Sequence, residues 1–197
     1  ETDLAFQAAE KGAWRQAADH ARRAVNDEPS LIPARSLAAR AHLELGNLRK
    51  AKAQAVEAWR LRPTAGAATS FLRASKPQDI AGKRTAIAEL VQANPNALFS
   101  QFLRAEAAIE SGDLAIARDA VADLPETSAS VGVNALKLRL EALEAGGEDR
   151  SPTPLDGHSL PLEPQVCANC GTEHTRWRPD CTECGSSGTI GLPTRGA

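Results

Sequence analysis

The chain has 197 residues, 24% of them charged and 42% hydrophobic, with a formal net charge of −2. That balance is typical of a soluble globular protein and gives no overall drive toward nucleic acid or an acidic partner. Aromatics make up only 4%, Tyr and Met are absent and alanine is heavily used, which favours closely packed helices over a β-sandwich; no apolar run is long enough to span a bilayer, and there is no signal peptide.

From the start of the chain an internal echo appears. Ala5, Gly12, Ala17, Ala24 and Pro29 recur 34 residues later as Ala39, Gly46, Ala51, Ala58 and Pro63, and Ala105, Gly112 and Ala117 follow 66 residues after the second set. The interval of 66 leaves room for one shortened copy. A 34-residue period with small residues at these places is the tetratricopeptide signature, in which each repeat is two antiparallel helices. Small residues sit where helix axes approach closely, glycine lies at the turn within the pair, and proline follows the second helix because it cannot continue it. The spacing predicts helices over Leu4–Lys11 and Trp14–Asn26, then Pro33–Leu45 and Leu48–Leu61. A degenerate third pair covers Gly66–Ala74 and Ala81–Ala93, broken at Ser75-Lys76-Pro77. The fourth covers Ala97–Ser111 and Leu114–Leu124, and a last helix over Ser128–Ala145 ends at Gly146-Gly147 and caps the stack. The expected class is therefore all-α: a tetratricopeptide-repeat α-solenoid over residues 1–147.

Each pair alone would expose an apolar face that stacking buries. Trp14 and Trp59 are assigned to gaps between helices, and His20 and His42 to the surface or a satisfied core. In such stacks the first helices line a concave face that receives peptides; in this register that face carries Phe6, Glu10, Arg40, Glu44, Phe99, Phe102 and Glu106. Phe99 and Phe102 fit either a groove wall that anchors a partner or the core. Charge is uneven: residues 1–84 hold 15 Lys/Arg and 9 Asp/Glu, a balance of +6, and residues 85–197 hold 8 and 16, a balance of −8. The basic residues are spread through the helices, which fits solvated helix faces; an acidic partner or anionic lipid headgroups are the sharper alternative.

Residues 148–164, with Pro152, Pro154, Pro161 and Pro164, lack periodicity and read as a linker. His158 falls within it. All four cysteines of the protein follow in residues 165–197, as Cys167-x-x-Cys170-Gly171 and Cys181-x-x-Cys184-Gly185 with ten residues between the pairs. Two residues between thiols let both sulfurs face one point, and the glycine closes a tight turn at φ > 0, leaving backbone N–H groups to point at the sulfurs. Two such knuckles supply four thiolates for the closed tetrahedral site that Zn²⁺ prefers; two disulfides are the alternative. About 30 residues cannot bury a core large enough to fold alone, so metal binding is expected to supply the stability, with Trp177 and Ile190 as a small apolar cover and His174 beside the site rather than on the ion. Unpaired thiolates call for a reducing compartment, the cytoplasm.

The pattern Cys170-Gly171-x-x-His174-x-x-Trp177-x-Pro179-x-Cys181-x-x-Cys184-Gly185, with Thr189-Ile190, the run Ser111-Gly112-Asp113-Leu114-Ala115-x-Ala117-Arg118 and Ala93-Asn94-Pro95, resembles the bacterial HemY family: tetratricopeptide repeats followed by a rubredoxin-like pair of cysteine knuckles. The resemblance covers most of the chain. It implies a membrane-anchored protein associated with late haem biosynthesis, at the cytoplasmic face of the inner membrane, with haem-pathway enzymes among its partners. The family's N-terminal membrane helices are not in this sequence, which begins at Glu1 without Met and is expected to be a fragment whose anchor precedes it. The closing tryptophan expected of the family is also missing. HemY in this sense is not the flavin-dependent oxidase that has shared the name, and no dinucleotide fingerprint is present. The architecture also resembles the LapB family, inner-membrane-tethered adaptors for a protease that controls lipopolysaccharide synthesis, which likewise have ten residues between knuckles. The His174-x-x-Trp177-x-Pro179 pattern favours HemY.

Three functional classes follow. A non-catalytic scaffold is favoured, since no Ser-His-Asp set, phosphate loop or carboxylate pair stands out. An electron carrier with iron in the four-thiolate site is the second. A nucleic-acid-binding ribbon is disfavoured, because Arg176, Arg178 and Arg195 are the only basic residues of the module and Trp177 its only stacking surface. No Cys-x-x-Cys-His is present, which speaks against covalent haem attachment.

Overall fold

The computed structural model describes residues 1–122, 124, 131–147, 165–167, 169, 172–174, 180–185 and 190–191; at 65, 98, 131–135, 165, 166, 173, 174, 190 and 191 only the backbone is described. Among these residues lie nine helices, α1 Thr2–Glu10, α2 Trp14–Asp27, α3 Ile32–Glu44, α4 Leu48–Leu61, α5 Ala65–Ser75, α6 Ile80–Ala93, α7 Leu98–Glu110, α8 Leu114–Ala122 and α9 Val131–Glu144, and three short strands, β1 Gln165–Cys167, β2 Glu173–His174 and β3 Ile190–Gly191. Residues 1–147 are thus all-helical, and the strands belong to the cysteine segment, where the sequence pattern predicts no sheet.

The within-pair turns share one geometry. At the end of α1 the Gly12 N–H donates to the Ala9 carbonyl at 3.1 Å and the Ala13 N–H to the Ala8 carbonyl at 2.8 Å, with Gly12 at φ 71. The same two bonds recur at Gly46/Asn47, Gly112/Asp113 and Gly146/Gly147, with the glycines at φ 73, 73 and 79. This is the Schellman motif, which satisfies the last helix carbonyls and needs a left-handed residue, hence glycine. Gly146 lies 34 residues after Gly112 and ends α9 as Gly112 ends α7, so the last helix takes the place of the first helix of a fifth pair. The degenerate pair differs. Lys76 takes the left-handed position at φ 46, and its N–H bonds the Leu72 carbonyl at 3.2 Å, the single-bond αL ending. Helix starts vary too: Thr64 Oγ1 accepts from the Ala67 N–H at 3.2 Å and Asp79 Oδ1 from the Gly82 N–H at 2.7 Å, while α2 and α4 begin straight from the turn without a side-chain cap.

Turns of about three residues force consecutive helices to run antiparallel and touch. Alanine stripes set how closely: Ala17, Ala21 and Ala24 of α2, and Ala51, Ala55 and Ala58 of α4, are buried at helical spacing. The core passes along the chain in three overlapping clusters. One joins α1, α2 and α3; the second joins α3 through α7 around Trp59, Phe71, Ile87, Leu90 and Leu103; the third joins α7, α8 and α9. Each cluster hands over at a first helix, α3 or α7, as expected when every pair buries its face on the next. Ion pairs follow the same neighbours: Glu44–Arg73 at 3.6 Å between α3 and α5, Lys52–Glu89 at 2.7 Å between α4 and α6, and Lys83–Glu110 at 3.0 Å between α6 and α7. The exposed pairs contribute about 0–1 kcal/mol each, so burial carries the stack.

Candidate metal centre and the repeat face

The cysteine segment is a small antiparallel sheet with order β2-β1-β3; Val166 pairs with Glu173 on one side and Gly191 on the other. The β1–β2 hairpin places Cys167 at the end of β1, where its N–H bonds the Thr172 carbonyl at 3.0 Å. The first knuckle is the connection that follows, and its second ligand, Cys170, lies outside the described residues. The second knuckle is a turn in which the Gly185 N–H bonds the Cys181 carbonyl at 2.9 Å with Gly185 at φ 69. The glycine therefore takes the expected left-handed conformation, but this N–H closes the turn on a carbonyl instead of pointing at a sulfur.

These turns bring Cys167, Cys181 and Cys184 together, with sulfurs all within 4.8 Å of one another. The Cys167 and Cys184 sulfurs are 3.7 Å apart. A disulfide needs about 2.05 Å, whereas four sulfurs each about 2.3 Å from a central ion at tetrahedral angles lie about 3.8 Å apart. The spacing matches edge-sharing ligands and excludes a bond between these two. Cys167 and Cys181 are buried and Cys184 is exposed, so the cluster is closed on the protein side. Asn169 Nδ2 donates to the Cys184 sulfur at 3.5 Å, an outer hydrogen bond that orients the thiolate and withdraws charge from it. Asn169 was not marked by the sequence; a side-chain donor inside a knuckle has no periodic signal. Three close thiol groups on two rigid turns can hold a soft metal ion. His174 lies on β2; His158 and Trp177 lie outside the described residues.

The residues assigned to the partner face divide. Phe99 and Phe102 are 9% and 4% exposed, stack with ring centroids 5.9 Å apart, and join the core, Phe99 also lying 5.6 Å from Trp59. Of the two readings open for them, the structure places both in the core. Trp59 is fully buried, as expected of a gap-filler; Trp14 is half-buried with the Arg40 guanidinium 5.2 Å above its ring. Glu44 pairs with Arg73 and Glu106 with Arg139 at 2.6 Å, so these acids tie first helices to each other. Phe6, half-buried, and Glu10, exposed, line an open pocket of about 540 Å³ with Gln7 and Lys11 on one side and Asp180, Cys181 and Thr182 on the other. The second knuckle thus faces the end of α1.

Two histidines are explained by packing. His20 Nδ1 meets a Glu1 carboxylate oxygen at 2.7 Å, and that bond holds the Glu1 carboxyl below its usual range. His42 keeps a buried Nδ1 with no hydrogen-bond partner; burial, then the nearby Lys50, lowers its pKa. No helix among the described residues is long and apolar enough to cross a membrane. No family model matches the chain, and no curated protein matches it.

Proposed function

We propose that the chain is a non-catalytic protein-interaction scaffold, a tetratricopeptide-repeat stack whose first helices receive partner proteins and whose tail is a rubredoxin-like module stapled by a structural Zn²⁺. Cys167, Cys170, Cys181 and Cys184 would hold the ion, which supplies folding energy and no redox chemistry. The observation that carries the scaffold reading is the recurrence of one cap geometry at Gly12, Gly46, Gly112 and Gly146, because identical turns at a fixed period build an extended surface of repeated helices. The resemblance to the HemY family places it on the cytoplasmic face of the bacterial inner membrane, anchored by a preceding segment, beside late haem-biosynthesis enzymes.

Co-purification of the full-length protein from native membranes in mild detergent tests this. Recovery of porphyrin-pathway enzymes supports the reading, and recovery of a membrane protease with the lipopolysaccharide deacetylase moves it to a LapB-like adaptor, which the ten-residue separation of the knuckles also fits. The remaining alternative is an iron-bearing electron carrier, since the same four thiolates accept iron. Metal analysis with a visible spectrum separates the two: a colourless protein with one zinc per chain supports the scaffold, whereas a reversible red iron chromophore overturns it.

A further inference from the structure

The pocket between the last turn of α1 and the second knuckle joins the two ends of the chain. Its lining combines one aromatic ring, Phe6, two carboxylates, Glu10 and Asp180, the ammonium of Lys11, and the amide and hydroxyl of Gln7 and Thr182. Cys181 forms part of the wall and is itself 2% exposed, so the metal cluster lies directly behind it. Four thiolates around a divalent ion carry a formal charge of −2, and the low-dielectric wall does little to screen it. Carboxylates, an aromatic face and an anionic centre at one opening favour a cation: the carboxylates accept hydrogen bonds from it and the ring attracts it through its quadrupole. Arginine suits this best, because its planar guanidinium can stack on the ring and bond a carboxylate together.

We infer that this pocket is a composite recognition site for an arginine-bearing extended segment of a partner protein, built jointly by the first helix and the metal module. The inference rests on the scaffold reading and sharpens it: partner binding begins where the repeats meet the knuckle, and it requires the loaded metal site, since the wall at Asp180–Thr182 is held in place by Cys181 and Cys184. Phe6 and Glu10, assigned to the partner face by repeat register, are part of it; Asp180 and Thr182 are reached only through the fold.

The test titrates a fluorescein-labelled Ala-Arg-Ala-Arg-Ala-Arg peptide, with its Ala-Glu counterpart as control, into the zinc-loaded full chain and follows fluorescence anisotropy. The arginine peptide is expected to bind and the glutamate peptide not. Glu10→Gln, Asp180→Asn and Phe6→Ala should each weaken binding about threefold to tenfold, with far-UV circular dichroism and zinc content unchanged, and chelation should abolish binding while the helical signal remains. Equal binding of the two peptides, no binding of either, or wild-type affinity in all three variants overturns the inference. Glu44→Gln and Glu106→Gln separate it from its premise: binding lost in these and kept in the pocket variants overturns the composite site but leaves a peptide-receiving repeat face intact.

Discussion

The helical stretch and the cysteine segment reach stability by opposite routes. In residues 1–147 the free energy is spread over many small contacts: alanine stripes, three overlapping clusters, and a turn motif used four times. In the cysteine segment Cys167 and Cys181 are the buried cluster among the described residues, and a three-stranded sheet of two- and three-residue strands has little face to bury. A distributed core tolerates one lost contact; a stapled one depends on its staple. The lesson is that a perturbation should stay within its own region, except where the pocket beside α1 joins them.

Metal removal should show the largest effect. Structural zinc in peptides of this size contributes about 10–16 kcal/mol, so chelation or Cys181→Ser should unfold the cysteine segment. Hydrogen exchange should rise across residues 165–191 while the main helical melting transition is retained; a tail that stays protected without metal would break the comparison. Trp59→Ala is the converse test. Trp59 is fully buried against Phe99, so its loss should cost about 3–5 kcal/mol in denaturant unfolding of the helices and leave one metal per chain. Metal loss in that variant would mean the two regions fold as one.

Smaller effects probe the turns. Gly112 has φ 73 with open space around its Cβ position, so Gly112→Ala meets backbone strain and no clash, and should destabilise by about 1 kcal/mol. Lys76 holds the same left-handed region at φ 46 with a side chain, so Lys76→Gly should raise the melting temperature, by up to about 1 kcal/mol of stability. Opposite signs at equivalent turns would show that the degenerate pair is a weakened copy of the others. The smallest effect is His42. Its folded pKa is depressed, so the neutral form is favoured by folding; its contribution is present above the unfolded value of about 6.5 and is lost as pH falls through that value and then through the folded one. Urea midpoints should therefore decline more from pH 7 to pH 5 in the wild type than in His42→Gln.

Much of the fold was legible because its signals are local. The glycines at 12, 46 and 112 gave the turn spacing, Pro33 stands at the start of α3, and α4 runs over Leu48–Leu61 as the pattern predicts; the other ends shift by up to three residues. The cysteine spacing likewise predicted the juxtaposition of Cys167, Cys181 and Cys184, while Cys170 lies outside the described residues. What was missed is long-range or conditional. Repeat register puts Phe99 and Phe102 on a first helix but does not say how that helix is rolled, and the roll is set by Trp59 and Leu136 packing from either side. Asn169 reaches Cys184 across fifteen positions, and its role depends on two knuckles meeting.

Sequence alone determined that this protein is built from helix pairs and closes with four thiols at knuckle spacing, because turn conformation and ligand spacing are properties of a few neighbouring residues. Only the tertiary structure decided which aromatic rings are core, that Lys76 bears the strain of the shortened pair, and that α1 meets the second knuckle across an open pocket. Those outcomes depend on how elements far apart in the chain rotate and dock, and that is fixed by the summed packing of the whole molecule, which no short stretch of residues encodes.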